Sequence, residues 1–151
     1  MAVKIGVISD THGRLRAEVR RRLEGCDYIF HAGDFDRREI LEELEEIAPV
    51  CAVRGNNDWG GWAGKLPRTR TVELGGVSFF LVHNRQHAPQ DLGDVQVVVF
   101  GHSHVYMEER LGGRLWLNPG SCAWPRFGGG ISMAVMTVED GAVQVERIDL
   151  E

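Results

Sequence analysis

Val3-Lys4-Ile5-Gly6-Val7-Ile8-Ser9-Asp10-Thr11-His12 opens with a mostly apolar, β-branched run and stops abruptly in a polar triplet. That run is the pattern of a strand covered on both faces. Beyond it the chain alternates in kind. Arg14–Glu24 carries Leu15, Val19 and Leu23 at helical spacing, with Gly25 as a stop. Tyr28–Ala32 is a second strand. Asp36–Ile47 is a second amphipathic helix, with Ile40, Leu41, Leu44 and Ile47 inward and Pro49 marking its exit. Val50–Arg54 is a third strand. Strand–helix–strand–helix–strand predicts βαβ units and a largely parallel sheet.

After Gly55 the pattern changes. Asn57–Arg68 is a loop rich in Gly and Trp. Thr69–Leu74 and Val77–Val82 read as strands joined by Gly75-Gly76, a two-residue hairpin signal. Gln86–Leu92 reads as a short helix and Val95–Phe100 as a further buried strand. Val105–Leu111 and Arg114–Leu117 flank Gly112-Gly113, and Ile131–Val138 and Ala142–Leu150 flank Asp140-Gly141, giving two more hairpins. The expected fold class is α/β passing into α+β: a two-layer mixed β-sheet sandwich, or one strongly twisted mixed sheet, flanked by helices. One domain is expected over residues 1–151.

Composition narrows the function. Hydrophobic residues make up 43% and charged residues 26%, which excludes disordered and fibrous classes. The net charge of −5 disfavours stable nucleic-acid binding, and Arg14–Arg22 reads as a solvated helix face. No apolar run approaches the ~20 residues of a membrane helix, and a signal peptide is not expected because Met1–Ile8 reads straight into a strand with no basic segment before an apolar one. Cys26, Cys51 and Cys122 show no CxxC spacing, against a disulfide framework or a thiolate zinc site. A cytoplasmic location is the expectation. Gly60–Lys65 lacks P-loop spacing, and there is no GxSxG elbow.

Five polar clusters each come directly after an apolar strand. They are Asp10-Thr11-His12, Gly33-Asp34, Gly55-Asn56-Asn57-Asp58, His83 and Gly101-His102-Ser103-His104. In open α/β sheets ligands bind beyond the carboxyl ends of strands, so the five clusters should meet in one crevice. Asp10/His12 and His102/His104 are two apart, and in extended chain each pair would point one way, towards one ion or two adjacent ions. Gly33, Gly55 and Gly101 allow close backbone approach just before them. A shell of His, Asp and Asn suits Mn²⁺, Fe²⁺, Zn²⁺ or Co²⁺.

These motifs, in this order, resemble those of the calcineurin-like metallophosphoesterases. The likeness is closer to their small single-domain bacterial and archaeal branch of phosphodiesterases, and runs from Val3 to about Arg126 with Asn118-Pro119-Gly120-Ser121 as a late motif. The resemblance implies two divalent ions, Mn²⁺ first, with Ni²⁺, Fe²⁺, Zn²⁺ or Co²⁺ as alternatives. Asp10, His12, Asp34 and His104 would hold one; Asp34, Asn56, His83 and His102 would hold the other. Asp34 would bridge them, its two oxygens spanning the pair. A hydroxide between the ions would attack phosphorus. Asn57 stands where many relatives carry a His that touches phosphate, which favours diesters over monoesters because an amide donates no proton at ordinary pH. Arg126 is a candidate clamp on a phosphate oxygen. The expected partner is a small phosphodiester or nucleotide-like substrate, with no membrane and with a homo-oligomer left open. The competing readings are a non-catalytic metal-binding scaffold of the retromer-subunit type and a phosphomonoesterase or nucleotidase. His31 reads as a structural or supporting hydrogen-bonding residue and His87 as a rim residue. Trp59 and Trp62 read as a stacking lid, a core plug or an interface.

Overall fold

In the strand Val3–Ile8 both faces are covered from Ile5 onward, and this strand organises the molecule. In the computed structural model, which describes residues 2–125 and 129–150, it is β1. Its odd-numbered positions Ile5 and Val7 join a core shared with a second sheet, whereas Ile8 faces helices. Gly6 lies under Leu23 of α1 (Ala17–Leu23) so closely that a Cβ would collide with it.

The remaining elements are β2 (Tyr28–His31), α2 (Arg38–Glu45), β3 (Val50–Ala52), β4 (Thr69–Leu74), β5 (Val77–Val82), β6 (Val97–Val99), β7 (Met107–Leu111), β8 (Arg114–Asn118), β9 (Ile131–Glu139) and β10 (Ala142–Leu150). They form two five-stranded mixed sheets, in the orders β10-β9-β1-β2-β3 and β4-β5-β6-β8-β7. β1, β2 and β3 run parallel, as do β5, β6 and β8. The sheets face each other across Ile5, Val7, Phe30, Phe79, Leu81, Val97 and Val99, with Phe30 and Phe79 edge-to-face at 5.2 Å. The expected three hairpins form. Gly75-Gly76, Gly112-Gly113 and Asp140-Gly141 all have positive φ at both positions, the type I′ requirement.

Helices cover the outer face of the first sheet, where Val19, Leu23, Ile40 and Leu44 meet Ile8, Ile29, Met133 and Val135. The helix expected over Gln86–Leu92 is absent. Only Arg85–His87 makes a 3₁₀ turn, because Ala88 is extended (φ −70°, ψ 139°) before Pro89. Ala88, Leu92 and Val95 from this irregular segment pack instead against Phe80, Val82, Val98 and Phe100 on the second sheet's outer face. The first helix also begins later than expected. Arg16 is extended, and its guanidinium is held by the Ala123 carbonyl at 2.7 and 3.1 Å. No helix among the described residues is long and apolar enough to cross a membrane.

Candidate metal centre

The carboxyl ends of β1, β2, β3, β5 and β6 carry the five polar clusters, and backbone hydrogen bonds lace the loops together. The Asp10 amide donates to the Gly33 carbonyl and the His12 amide to the Asp34 carbonyl, both at 3.0 Å, and the Gly101 amide to the His83 carbonyl at 2.9 Å. Close packing there requires glycine. A Cβ on Gly33 (φ +105°) would lie 2.8 Å from the Gly55 nitrogen and from His83 Nδ1, and one on Gly55 would strike Asp34.

The pairs two apart are not built as extended chain. Asp10, His12, Asp34, Asp36, His102 and His104 all have φ between 43° and 75°, the left-handed region that non-glycine residues rarely occupy. Such strain persists only where the surroundings impose it, and it clusters at functional sites. It also fans the side chains. Asp10 and His12 stay together, but His104 turns to them while His102 turns to His83 and Asn56.

Five side chains then face one another. Asp10 Oδ1 lies 3.4 Å from His104 Nε2, 3.7 Å from His12 Nε2 and 3.9 Å from His83 Nε2. Asp34 Oδ2 lies 3.2 Å from His83 Nε2 and 3.7 Å from His12 Nε2. The other oxygens are taken. Asp10 Oδ2 accepts from the Ser9 hydroxyl at 2.7 Å and the His102 amide at 3.1 Å, and Asp34 Oδ1 accepts from the Asn57 amide at 2.8 Å. Asp34 therefore meets both flanking histidines through one oxygen rather than through two. Asn56 Oδ1 and His102 Nδ1, 3.3 Å apart, complete the rim.

The histidine tautomers are set by the far nitrogens. His83 Nδ1 donates to the Ala32 carbonyl at 2.7 Å and His12 Nδ1 to Asp36 Oδ2 at 3.0 Å. Each ring thus aims an Nε2 lone pair at carboxylate oxygens, an arrangement that requires a cation between them. In the metal-free chain the carboxylates favour the protonated rings. Asp10 raises His12 to about 9 against the pull of burial, with Asp36 assisting; burial lowers His83, but Asp34 and Asp10 outweigh it. Burial would raise Asp10, yet His104 and His12 hold it well below the usual carboxylate range. Asp10 Oδ1 and His83 Nε2 are buried without hydrogen-bond partners among the described residues. A hard-to-borderline divalent cation fits this donor set.

Of the residues expected at the site, Asp10, His12, Asp34, Asn56, Asn57, His83, His102 and His104 converge; Arg126 lies outside the described residues. Asn57 sits on the rim, its side-chain amide 3.4 Å from Asp34 Oδ2. His31 is buried and supports the site. Its Nδ1 accepts from the Gly33 amide, so Nε2 donates to the Thr11 hydroxyl, each at 3.0 Å, and burial lowers it to about 3, keeping it neutral. Trp62 packs edge-on to Phe35 in the core, whereas Trp59 is 70% exposed. His87 is on a rim, as expected.

Two further contributors are not among the expected residues. Asp36 orients His12; its only sequence signal is its place two after Asp34. Asp58 closes the Gly-Asn-Asn-Asp motif, and its buried carboxylate accepts from the amides of Asp34, Phe35, Asp36 and Gly55 at 2.8–3.0 Å. Although Asp34, Asp36 and Asp58 oxygens cluster, those of Asp58 are already occupied by these donors.

Known proteins resemble this chain in sequence and in fold. Residues 3–141 match the calcineurin-like phosphoesterase superfamily domain. A probable metallophosphoesterase of Methanothermobacter thermautotrophicus is 34% identical over 97% of this chain and 87% of its own length. The structure of an archaeal phosphodiesterase superposes with a TM-score of 0.82, at 26% identity, covering 98% of this chain and all of that one. Vacuolar protein sorting 29 of Cryptosporidium parvum, at 22% identity and a TM-score of 0.80 over 99% of this chain and 98% of its own, shares the fold. With a matched span that takes in every one of the five clusters, the chain belongs to the calcineurin-like phosphoesterase superfamily.

Proposed function

We propose that this chain is a single-domain, divalent-metal-dependent phosphodiesterase. The observation that carries the reading is Asp34 Oδ2, poised between His83 Nε2 and His12 Nε2 at 3.2 and 3.7 Å. Asp34 would be the ligand shared by two ions, with His12, His104 and Asp10 holding one and His83, His102 and Asn56 the other. Asp10 Oδ1 also faces His83, so the two sets adjoin. A pair of Mn²⁺ ions held there would supply an acidified water as nucleophile and would neutralise charge on the phosphoryl oxygens. The chain's own residues do the rest. Asp36 and the Ala32 carbonyl fix the ring orientations of His12 and His83, Ser9 and the His102 amide hold Asp10, and the Asn57 amide holds Asp34.

Diesters are favoured over monoesters because Asn57, exposed beside Asp34, can hydrogen-bond a phosphate oxygen but cannot protonate a leaving group. The name of the archaeal structural relative, a phosphodiesterase, supports the same class.

Metal analysis after Mn²⁺ reconstitution should approach two ions per chain, with Mn²⁺-dependent hydrolysis of bis(nitrophenyl) phosphate. Asp34→Asn should weaken both sites together and abolish turnover. Two tightly held ions in that variant, or full metal loading of the wild type without hydrolysis of any phosphodiester, would overturn the proposal.

A further inference from the structure

A cleft of about 430 Å³ opens beside the metal-facing side chains, a size typical of small-molecule sites. Asn56, His83 and His102 from the metal-facing set line it, together with Arg54, Arg68 and His87. Two features of the fold bring the arginines together. The Arg54 amide donates to the Pro67 carbonyl at 2.8 Å, which places Arg68, the next residue, alongside. Thr69 pairs with Val82 across the β4–β5 ladder, so Arg68, just before Thr69, and His83, just after Val82, lie at the same end of that hairpin.

The chemistry of the lining is one-sided. Arg54 is half-buried and lines the cleft, and its Nε donates to the Asp58 carbonyl at 3.0 Å, which restrains the guanidinium. Arg68 is exposed and forms no ion pair among the described residues. Among the described residues no carboxylate lines the cleft, although the chain carries a net charge of −5. No Trp, Tyr or Phe ring among them lines it either, so it offers no stacking platform for a base. Paired guanidinium groups recognise phosphate through fork-like hydrogen bonds.

From this juxtaposition we infer that Arg54, Arg68 and His87 form a second anion subsite, which takes an additional phosphate carried on a substituent of the scissile diester. The inference deepens the phosphodiesterase reading and rests on it for the position of the scissile group. Substrates bearing two phosphates, one at the metals and one in the cleft, are the class it selects.

The test uses Mn²⁺-loaded protein and a matched pair of esters: thymidine 5′-(nitrophenyl phosphate), with and without a phosphate on the 3′-oxygen. Wild type should favour the phosphorylated ester in kcat/KM by roughly tenfold to a hundredfold. Arg68→Gln should bring the ratio down towards parity and Arg68→Glu should invert it. Arg110→Gln, which removes a cation on β7 outside the cleft, should keep the wild-type ratio. A wild-type ratio near one, or a preference that survives Arg68→Glu, overturns the subsite. Calorimetric titration of both esters into the metal-free protein reads the same preference without turnover. If neither ester is hydrolysed but the phosphorylated one binds more tightly in an Arg68-dependent way, the phosphodiesterase reading falls and the subsite stands. Equal binding of the two esters refutes the subsite.

Discussion

Asp58→Asn tests whether the centre is held by its loops or only by its ligands. Asp58 is 1% exposed and accepts four backbone N–H groups, two at each oxygen: Phe35 and Asp36 at Oδ1, Asp34 and Gly55 at Oδ2. An Asn side chain keeps one oxygen and turns an NH₂ group towards the other two donors. Each buried donor stripped of its acceptor loses about 1–3 kcal/mol, so two lose about 4 kcal/mol at the centre of that range. At ~2–4 °C per kcal/mol for a chain of this length, Tm should fall by roughly 8–16 °C. The same donors lie in the loop that carries Asp34 and Asp36, and Asp36 orients His12. Mn²⁺ affinity should therefore drop by about 10–100-fold, the usual effect of losing a supporting group. Differential scanning calorimetry of the metal-free variant and calorimetric Mn²⁺ titration below its Tm measure the two effects separately. A variant with a Tm within ~2 °C of wild type would refute the clamp. A large Tm loss with unchanged Mn²⁺ affinity would refute its coupling to the metal centre.

Gly33→Ala should abolish Mn²⁺ binding, because its Cβ would lie 2.8 Å from the Gly55 nitrogen and from His83 Nδ1 at φ +105°; metal analysis of the purified variant checks this. His12 pairing stabilises the metal-free chain fully below its ordinary pKa of 6.5, and that contribution is lost as pH rises through about 9. Mn²⁺ binding near pH 7.5 should accordingly release protons, read as a dependence of the calorimetric heat on buffer ionisation enthalpy, with affinity rising with pH across that window. Asn57→His should shift the kcat/KM ratio from a nitrophenyl diester towards the matching monoester by supplying an imidazole at the site rim. An unmoved ratio would show that position 57 does not govern substrate class.

Much of this protein is legible along the chain because the controlling interactions are local. A double-glycine or Asp-Gly step with positive φ closes a hairpin by its own backbone preference, and all three hairpins form where such steps occur. Apolar runs that stop in Asp, Asn or His mark strand ends, so the five clusters and their residues stand out along the chain. Propensity misled where tertiary contacts or proline outweighed it, as at Arg16, captured by Ala123, and at Ala88 before Pro89.

Tertiary structure decided everything that depends on segments distant in the chain. β9 inserts antiparallel beside β1 and places the chain's last two strands at the edge of the first sheet, a pairing with no local signature. The left-handed backbone at Asp10, Asp34, His102 and His104 is imposed by loops packed from five strand ends, and it sends His102 and His104 to different neighbours despite their spacing. Spacing alone shows neither that Asn57 occupies one oxygen of Asp34, nor that Asp58 ties the Asp34 loop to Gly55, nor that Asp36 fixes His12. A sequence reveals which side chains can donate or accept; which lone pair is left for a cation is settled only when the fold has satisfied the others, since each buried oxygen and ring nitrogen must find a partner in space.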